Sequence, residues 1–155
     1  MISYLKFWLK SSNQHGLHSP FVYNYLTKGL YDSINLSSDK KINWMLKTIV
    51  YFNPNKIYVC ESLKNLLNTF QDKFTSTITD ADLIFIQNES FLDTEKFVLA
   101  MGDNQLLLIC NNKYNESYQS KLRVKNEIVI VIDFYYGSLI SKRKEQLKQN
   151  FFLRL

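Results

Sequence analysis

The sequence predicts an α/β fold whose sheet is mostly parallel and ends in an antiparallel hairpin. Three observations predict it. Short apolar, β-rich runs at 57–60, 81–87 and 105–110 alternate with stretches of helical periodicity, the pattern of strands joined by crossover helices. Residues 127–134 and 138–142 are β-rich runs separated by Tyr135-Tyr136-Gly137, which reads as a hairpin. Four Gly and two Pro in 155 residues leave few tight turns, which argues against a β-sandwich.

The elements follow in order. Residues 3–11 form a short amphipathic helix, with Leu5, Trp8 and Leu9 on one face. His15-Gly16-Leu17-His18 is a break, and Ser19-Pro20 starts a second helix, Ser as N-cap and Pro at the first helical position. Phe21, Tyr25, Leu26 and Leu30 carry it to about Tyr31. Ser38-Asp39 caps a third helix with Ile42, Met45, Leu46, Ile49 and Val50 as its apolar positions, ending before Asn53-Pro54. The strand 57–60 is followed by Ser62 as N-cap and a helix 63–72 with Leu63, Leu66, Leu67 and Phe70 on one face. After the strand 81–87 comes a helix 91–101, which Gly102 terminates as a left-handed cap. The strand 105–110, a helix 116–124 and the hairpin complete the sheet. A short basic helix and an apolar tail, 151–155, docked on the domain, close the chain.

The length fits one domain over 1–155, with helices in 1–52 packing on a sheet formed by 56–155. A hydrophobic content of 46% with 21% charged residues is that of a folded globular chain. Two cysteines give no disulfide framework and point to a reducing, cytoplasmic setting. Lys6 and Lys10 break the N-terminal apolar run, and no other run reaches the roughly 18 apolar residues of a membrane span. His15 and His18 have no Cys or carboxylate close in sequence, so a metal site is not expected. No P-loop or zinc spacing is present. Cys60 and Cys110, at strand ends, read as packing rather than reactive thiols. The net charge of +5 permits nucleic acid as a partner. Lys142-Arg143-Lys144 and Lys148 would line the C-terminal helix, near Lys121, Arg123 and Lys125, with Tyr135 and Tyr136 for stacking on bases.

Alternating strands and helices with a terminal hairpin resemble the class I S-adenosylmethionine-dependent methyltransferases. His15-Gly16-Leu17-His18-Ser19-Pro20-Phe21-Val22-Tyr23 is similar to the opening of small bacterial methyltransferase-like proteins related to the O-methyltransferases. Ile132-Asp133-Phe134-Tyr135-Tyr136-Gly137, with Arg143-Lys144-Glu145-Gln146 and Phe152-Leu153-Arg154, is similar to their ending. The resemblance implies a Rossmann-like sheet with S-adenosylmethionine at its carboxyl edge. Carried over by position, the cofactor contacts would be Glu61, Ser62, Asp80 and Asn111, and the substrate contacts Asn88 and Tyr114.

Set against that resemblance, the chain lacks what such a site uses. No glycine lies between Gly29 and Gly102, so the turn Cys60-Glu61-Ser62-Leu63 fills space that backbone approach to a ligand requires. Where metal-dependent relatives have paired aspartates, this chain has Asn111-Asn112-Lys113, and neutral amides serve a hard cation poorly; Glu89 alone would be one ligand. Only Ala81 separates Asp80 from the strand 82–87, which implies the loss of two strands and two helices from the full sheet. The expected function is therefore that of a reduced, non-catalytic methyltransferase-fold protein that binds a partner, either another protein or a second copy through an exposed sheet edge. The alternatives are a minimal active methyltransferase and a nucleic-acid-binding protein. Within the sheet, 82–87 is expected to lie between the strands of Cys60 and Cys110, 75–79 to be an extended link beneath it, and 138–142 to pair with 105–110. Helix 63–72 would keep the family's face, at the cost of a left-handed crossover.

Overall fold

A computed structural model of the chain describes residues 4–13, 15, 17–87, 90–111 and 115–155. Seven strands form one mixed sheet: β1 (Ile57–Val59), β2 (Phe74–Thr75), β3 (Leu83–Gln87), β4 (Leu106–Cys110), β5 (Ile130–Phe134), β6 (Gly137–Ser141) and β7 (Gln149–Phe152). Their order is β2-β1-β3-β4-β6-β5-β7. The pairs β2–β1, β1–β3, β3–β4 and β5–β7 are parallel, while β6 runs antiparallel to both β4 and β5. The fold is α/β, as expected, and β6 inserts beside β4 in register from Leu106↔Ser141 to Cys110↔Gly137.

Helices cover both faces. On one lie α2 (Pro20–Asn24, continuing as a π-helical turn Tyr25–Leu30), α3 (Lys40–Phe52) and α4 (Glu61–Lys64, continuing as a 3₁₀ helix Asn65–Lys73). Val22, Tyr25, Leu26, Trp44, Met45, Leu63 and Leu67 from these helices close over Ile57, Phe85, Leu108 and Ile132. On the other face α5 (Phe91–Ala100) and α6 (Glu116–Arg123) place Val98, Tyr118 and Leu122 over Ile84, Ile86, Leu107 and Ile140. Strands buried on both faces explain the continuous apolar runs that betray them in the sequence. The N-terminal α1 (Tyr4–Lys10) docks through Phe7, whose ring meets Tyr135 and Phe152 edge-on.

The lost side of the sheet is less reduced than the sequence suggests. Phe74–Thr75 pairs with Ile57–Tyr58 as a two-residue parallel edge strand, so β1, α4 and β2 still form a complete crossover. From β2 the chain passes the amino-terminal end of β1, where the Asp82 carboxylate accepts from the Asn55 and Lys56 N–H groups at 2.7 and 3.1 Å. It includes a 3₁₀ turn, Ile78–Asp80, and Ile78 and Ala81 pack on the α5 face. The expected extended link at 75–79 is thus a strand end and a helical turn, and the left-handed crossover does not arise. The crossovers β1–α4–β2 and β3–α5–β4 run in opposite directions on opposite faces, so they share one hand, as the strong chirality rule requires.

Four further expectations are corrected. Cys60, not Ser62, is the residue preceding α4, and its side chain makes no capping bond; the helix begins at once with Glu61. Gly102 is not left-handed. Instead α5 ends on an extended Met101, and the Gln105 side chain accepts from Gly102 N–H at 2.6 Å while donating to the Ile78 and Ala81 carbonyls. No helix follows β6: Arg143–Gln146 is a turn, and 149–152 pairs with β5, because a strand satisfies that edge's backbone groups and a helix would leave them open. Ser12 then brackets β7, its N–H donating to Phe152 O at 2.7 Å and its carbonyl accepting from Arg154 N–H at 3.3 Å. Finally, α3 turns Trp44, Met45, Lys47, Thr48 and Ile49 inward and leaves Val50 58% exposed. A polar chain sets that rotation: Trp44 Nε1 donates to Tyr25 Oη at 3.1 Å, which lies 2.6 Å from Thr48 Oγ1. Its left-handed end is Asn53, at φ 44°, just before Pro54.

Both cysteines are free: Cys60 follows β1 and Cys110 ends β4, and β3 lies between those strands. Cys110 is fully buried, with its thiol against Met45 Sδ at 3.2 Å, and burial pushes its pKa up to about 12. A maleimide added to the native protein is expected to label Cys60 alone, and both thiols after denaturation, counted by mass spectrometry. Native labelling of Cys110 would contradict this packing.

Candidate functional site

In open α/β sheets ligands sit beyond the carboxyl ends of the strands. Here that edge is formed by Cys60–Ser62 after β1, Gln87 at the end of β3, Asn111 after β4 and the hairpin turn Tyr135–Tyr136. Backbone bonds tie it together: Cys60 N–H donates to Phe85 O at 3.0 Å and Asn111 N–H to Tyr136 O at 2.8 Å.

The structure brings some of the predicted residues together and separates others. Glu61 and Ser62, in the first turn of α4 after β1, and Asn111, just after β4, share this edge, with β3 between the two strands. Glu61 points outward: its side chain is 88% exposed and its carboxylate accepts from Lys64 Nζ at 2.6 Å. Ser62 is exposed, and its hydroxyl lies 3.3 Å from Cys60 Sγ. Asp80 stands at the opposite end of β1, 3.9 Å from Lys56 Nζ, and cannot face the same ligand; the short 3₁₀ turn leaves it there. Asn88, Glu89 and Tyr114 lie outside the described residues. Asn111 is 2% exposed, and neither its Oδ1 nor its Nδ2 has a hydrogen-bond partner among the described residues.

Protein side chains occupy the space beside this edge. The Trp44 ring packs on Phe134 with centroids 5.4 Å apart and lies over Gly137, where an added Cβ would meet Trp44 Cζ3 at 2.6 Å and Ile109 O at 2.4 Å. Tyr4 and Phe7 cover Tyr135. The cavity they leave, lined also by Trp8, Tyr136 and Leu153, is about 10 Å³, room for a single water.

Behind the hairpin lies a buried ionic network that sequence reasoning missed. Asp133 is fully buried and accepts from Ser138 Oγ at 2.7 Å and from Arg123 Nη2 and Nε at 2.5 and 3.1 Å. Arg123 also meets Glu116 at 3.1 Å and stacks on Phe152 at 4.4 Å. Burial holds the Asp133 pKa above the usual carboxylate value, against the opposing pull of Arg123 and Ser138. The signal was one acid inside an otherwise apolar strand, Ile-Val-Ile-Asp-Phe. No group of three or more His, Cys, Asp or Glu among the described residues could hold a metal ion, and His15 and His18 are exposed.

The basic residues are dispersed. Lys142 donates to Met101 O, Lys148 to Lys125 O, Lys144 pairs with Asp103, Lys125 with Glu95, and Arg143 lies over the Phe21 ring. No helix among the described residues is long and apolar enough to cross a membrane. No family model, no curated protein and no solved structure matches the chain.

Proposed function

We propose that this chain is a reduced methyltransferase-type protein that no longer transfers methyl groups and acts as a binding module. The observation that carries the reading is the turn after β1. Helix α4 starts at Glu61 with no intervening loop, no glycine opens the backbone to a ligand, and the one acid turns out to solvent against Lys64. S-adenosylmethionine does not fit this turn, since its ribose and methionine groups would need that acid and that backbone. The strand order supports the ancestry: the last hairpin strand beside β4, and β1 between β2 and β3, are the arrangement the resemblance implies. The residual edge at β2 is two residues long, and Ser12 brackets the other edge, so pairing of copies through a sheet edge has little backbone to use.

Isothermal titration with S-adenosylmethionine is expected to show no saturable heat. A dissociation constant in the micromolar range would overturn the proposal and support a second reading, a minimal active methyltransferase. One observation favours that second reading: the buried amide of Asn111, unpartnered among the described residues, is a group that a ligand could satisfy. If S-adenosylmethionine did bind, Asn111→Ala would weaken it. The basic helix that a nucleic-acid interface would use is absent, and Tyr135 is packed against Tyr4 and Phe7 rather than open to stack on a base.

A further inference from the structure

Lys47, on the inner face of α3, is 6% exposed. Its ammonium donates to the Leu30 and Asp32 carbonyls at 3.0 and 2.6 Å, and no carboxylate lies within salt-bridge distance of it among the described residues. Two carbonyls satisfy two of its three N–H donors, and neither carries a formal counter-charge. Buried charges in folded proteins are normally paired, because an uncompensated one is costly to desolvate.

Lys47 also lines two cavities. One, of about 640 Å³, lies between α3 and residues 30–38, and Trp44, Tyr31, Leu36 and Lys40 line it with Lys47. The other, of about 200 Å³, adds Lys28 and Tyr51. Asp32, Leu36 and Lys47 belong to both. The lining of the two cavities includes Lys28, Lys40 and Lys47 against Asp32, whose carboxylate accepts from Ile34 N–H at 2.9 Å, and Leu155 with its terminal carboxylate. The rim is built rather than loose: Asn43 Oδ1 accepts from Leu36 and Ser37 N–H at 2.8 and 3.3 Å, and Asn43 Nδ2 donates to Asn35. A volume of this size, with the partly exposed Tyr31 and Leu36 in its lining and a few convergent polar groups, has the character of a small-molecule site.

We infer that the cleft between α3 and residues 30–38 binds a small organic anion, an apolar or aromatic body against Tyr31 and Leu36 with a phosphate or carboxylate head at Lys47 and Lys40. The inference rests on this cleft alone and is independent of the ancestry of the sheet. Neither a failure to bind S-adenosylmethionine nor success would decide it.

Trp44 is its own reporter once Trp8, outside the cleft, is replaced by Phe. In that background, phenyl phosphate is expected to change Trp44 fluorescence saturably, and the neutral benzyl alcohol to bind about tenfold more weakly or worse, the worth of one charge-assisted contact. Lys40→Met removes an exposed charge and is expected to weaken phenyl phosphate about fivefold while leaving the melting temperature unchanged. Lys47→Met should weaken it by about tenfold or more. Should the Lys47 variant fail to fold, the Lys40 variant and the neutral probe decide the matter. Equal affinity for the charged and neutral probes, unchanged affinity in Lys40→Met, or no saturable response to phenyl phosphate would each overturn the inference.

Discussion

Replacing Arg123 by methionine is expected to cost the fold about 3–5 kcal/mol, because it leaves the Asp133 carboxylate buried without its counter-ion. Arg123 supplies two of the three hydrogen bonds that the Asp133 carboxylate accepts among the described residues, and the one from Ser138 would remain. The double variant Arg123→Met/Asp133→Asn should lose less than the single one, since no uncompensated charge is left. The pH dependence has a definite sign. Burial already raises the Asp133 pKa above its unfolded value, so the folded state holds that proton more tightly, and the group favours folding most below the unfolded pKa near 3.8. Its contribution declines as pH rises through the folded pKa. Without Arg123 that pKa climbs further, so the deficit of Arg123→Met should be larger at neutral pH than in mild acid. Urea unfolding at the two pH values measures this, and a deficit that grows on acidification would show that Asp133 is not the group left stranded.

Gly137→Ala is expected to be comparably damaging, about 3 kcal/mol or more, through overpacking rather than through backbone strain. Gly137 has no positive φ; what it provides is close approach. An alanine Cβ would lie 2.4 Å from the Ile109 carbonyl oxygen on the neighbouring strand and 2.6 Å from the Trp44 ring. The ring can yield, but the strand oxygen cannot move without disturbing the β4–β6 ladder that ends at Cys110↔Gly137. Adding Trp44→Leu should therefore fail to restore stability. Full rescue by that second change would locate the clash in the indole and not in the sheet.

The sequence by itself determined the strands and the principal helices. Ile57–Val59, Leu83–Gln87 and Leu106–Cys110 are short continuous apolar runs because each is covered on both faces, and burial of that kind is written directly into residue type. Ser19, Asp39, Ser90 and Asn115 each accept a backbone N–H at a helix start, a local bond that a local motif can specify. The turn after β1 was legible only in part: the missing glycines stand in the sequence, but the helix starts at Glu61, ahead of the start that Ser62 as N-cap implied. Tertiary structure decided what depends on partners distant in the chain. Phe74–Thr75 is too short to signal a strand and becomes one because Ile57 and Tyr58 offer it an unpaired edge. The basic stretch before the C-terminus looked helical, but the open side of β5 draws 149–152 into the sheet. The rotation of α3 follows Tyr25, nineteen residues away from Trp44, and leaves Lys47 buried between two cavities where its periodicity had placed only apolar neighbours. Asp133 reads as an interruption in a strand until Arg123 and Ser138 close around it. A buried charge and an edge strand are both settled by what arrives from elsewhere, and no local pattern carries that information.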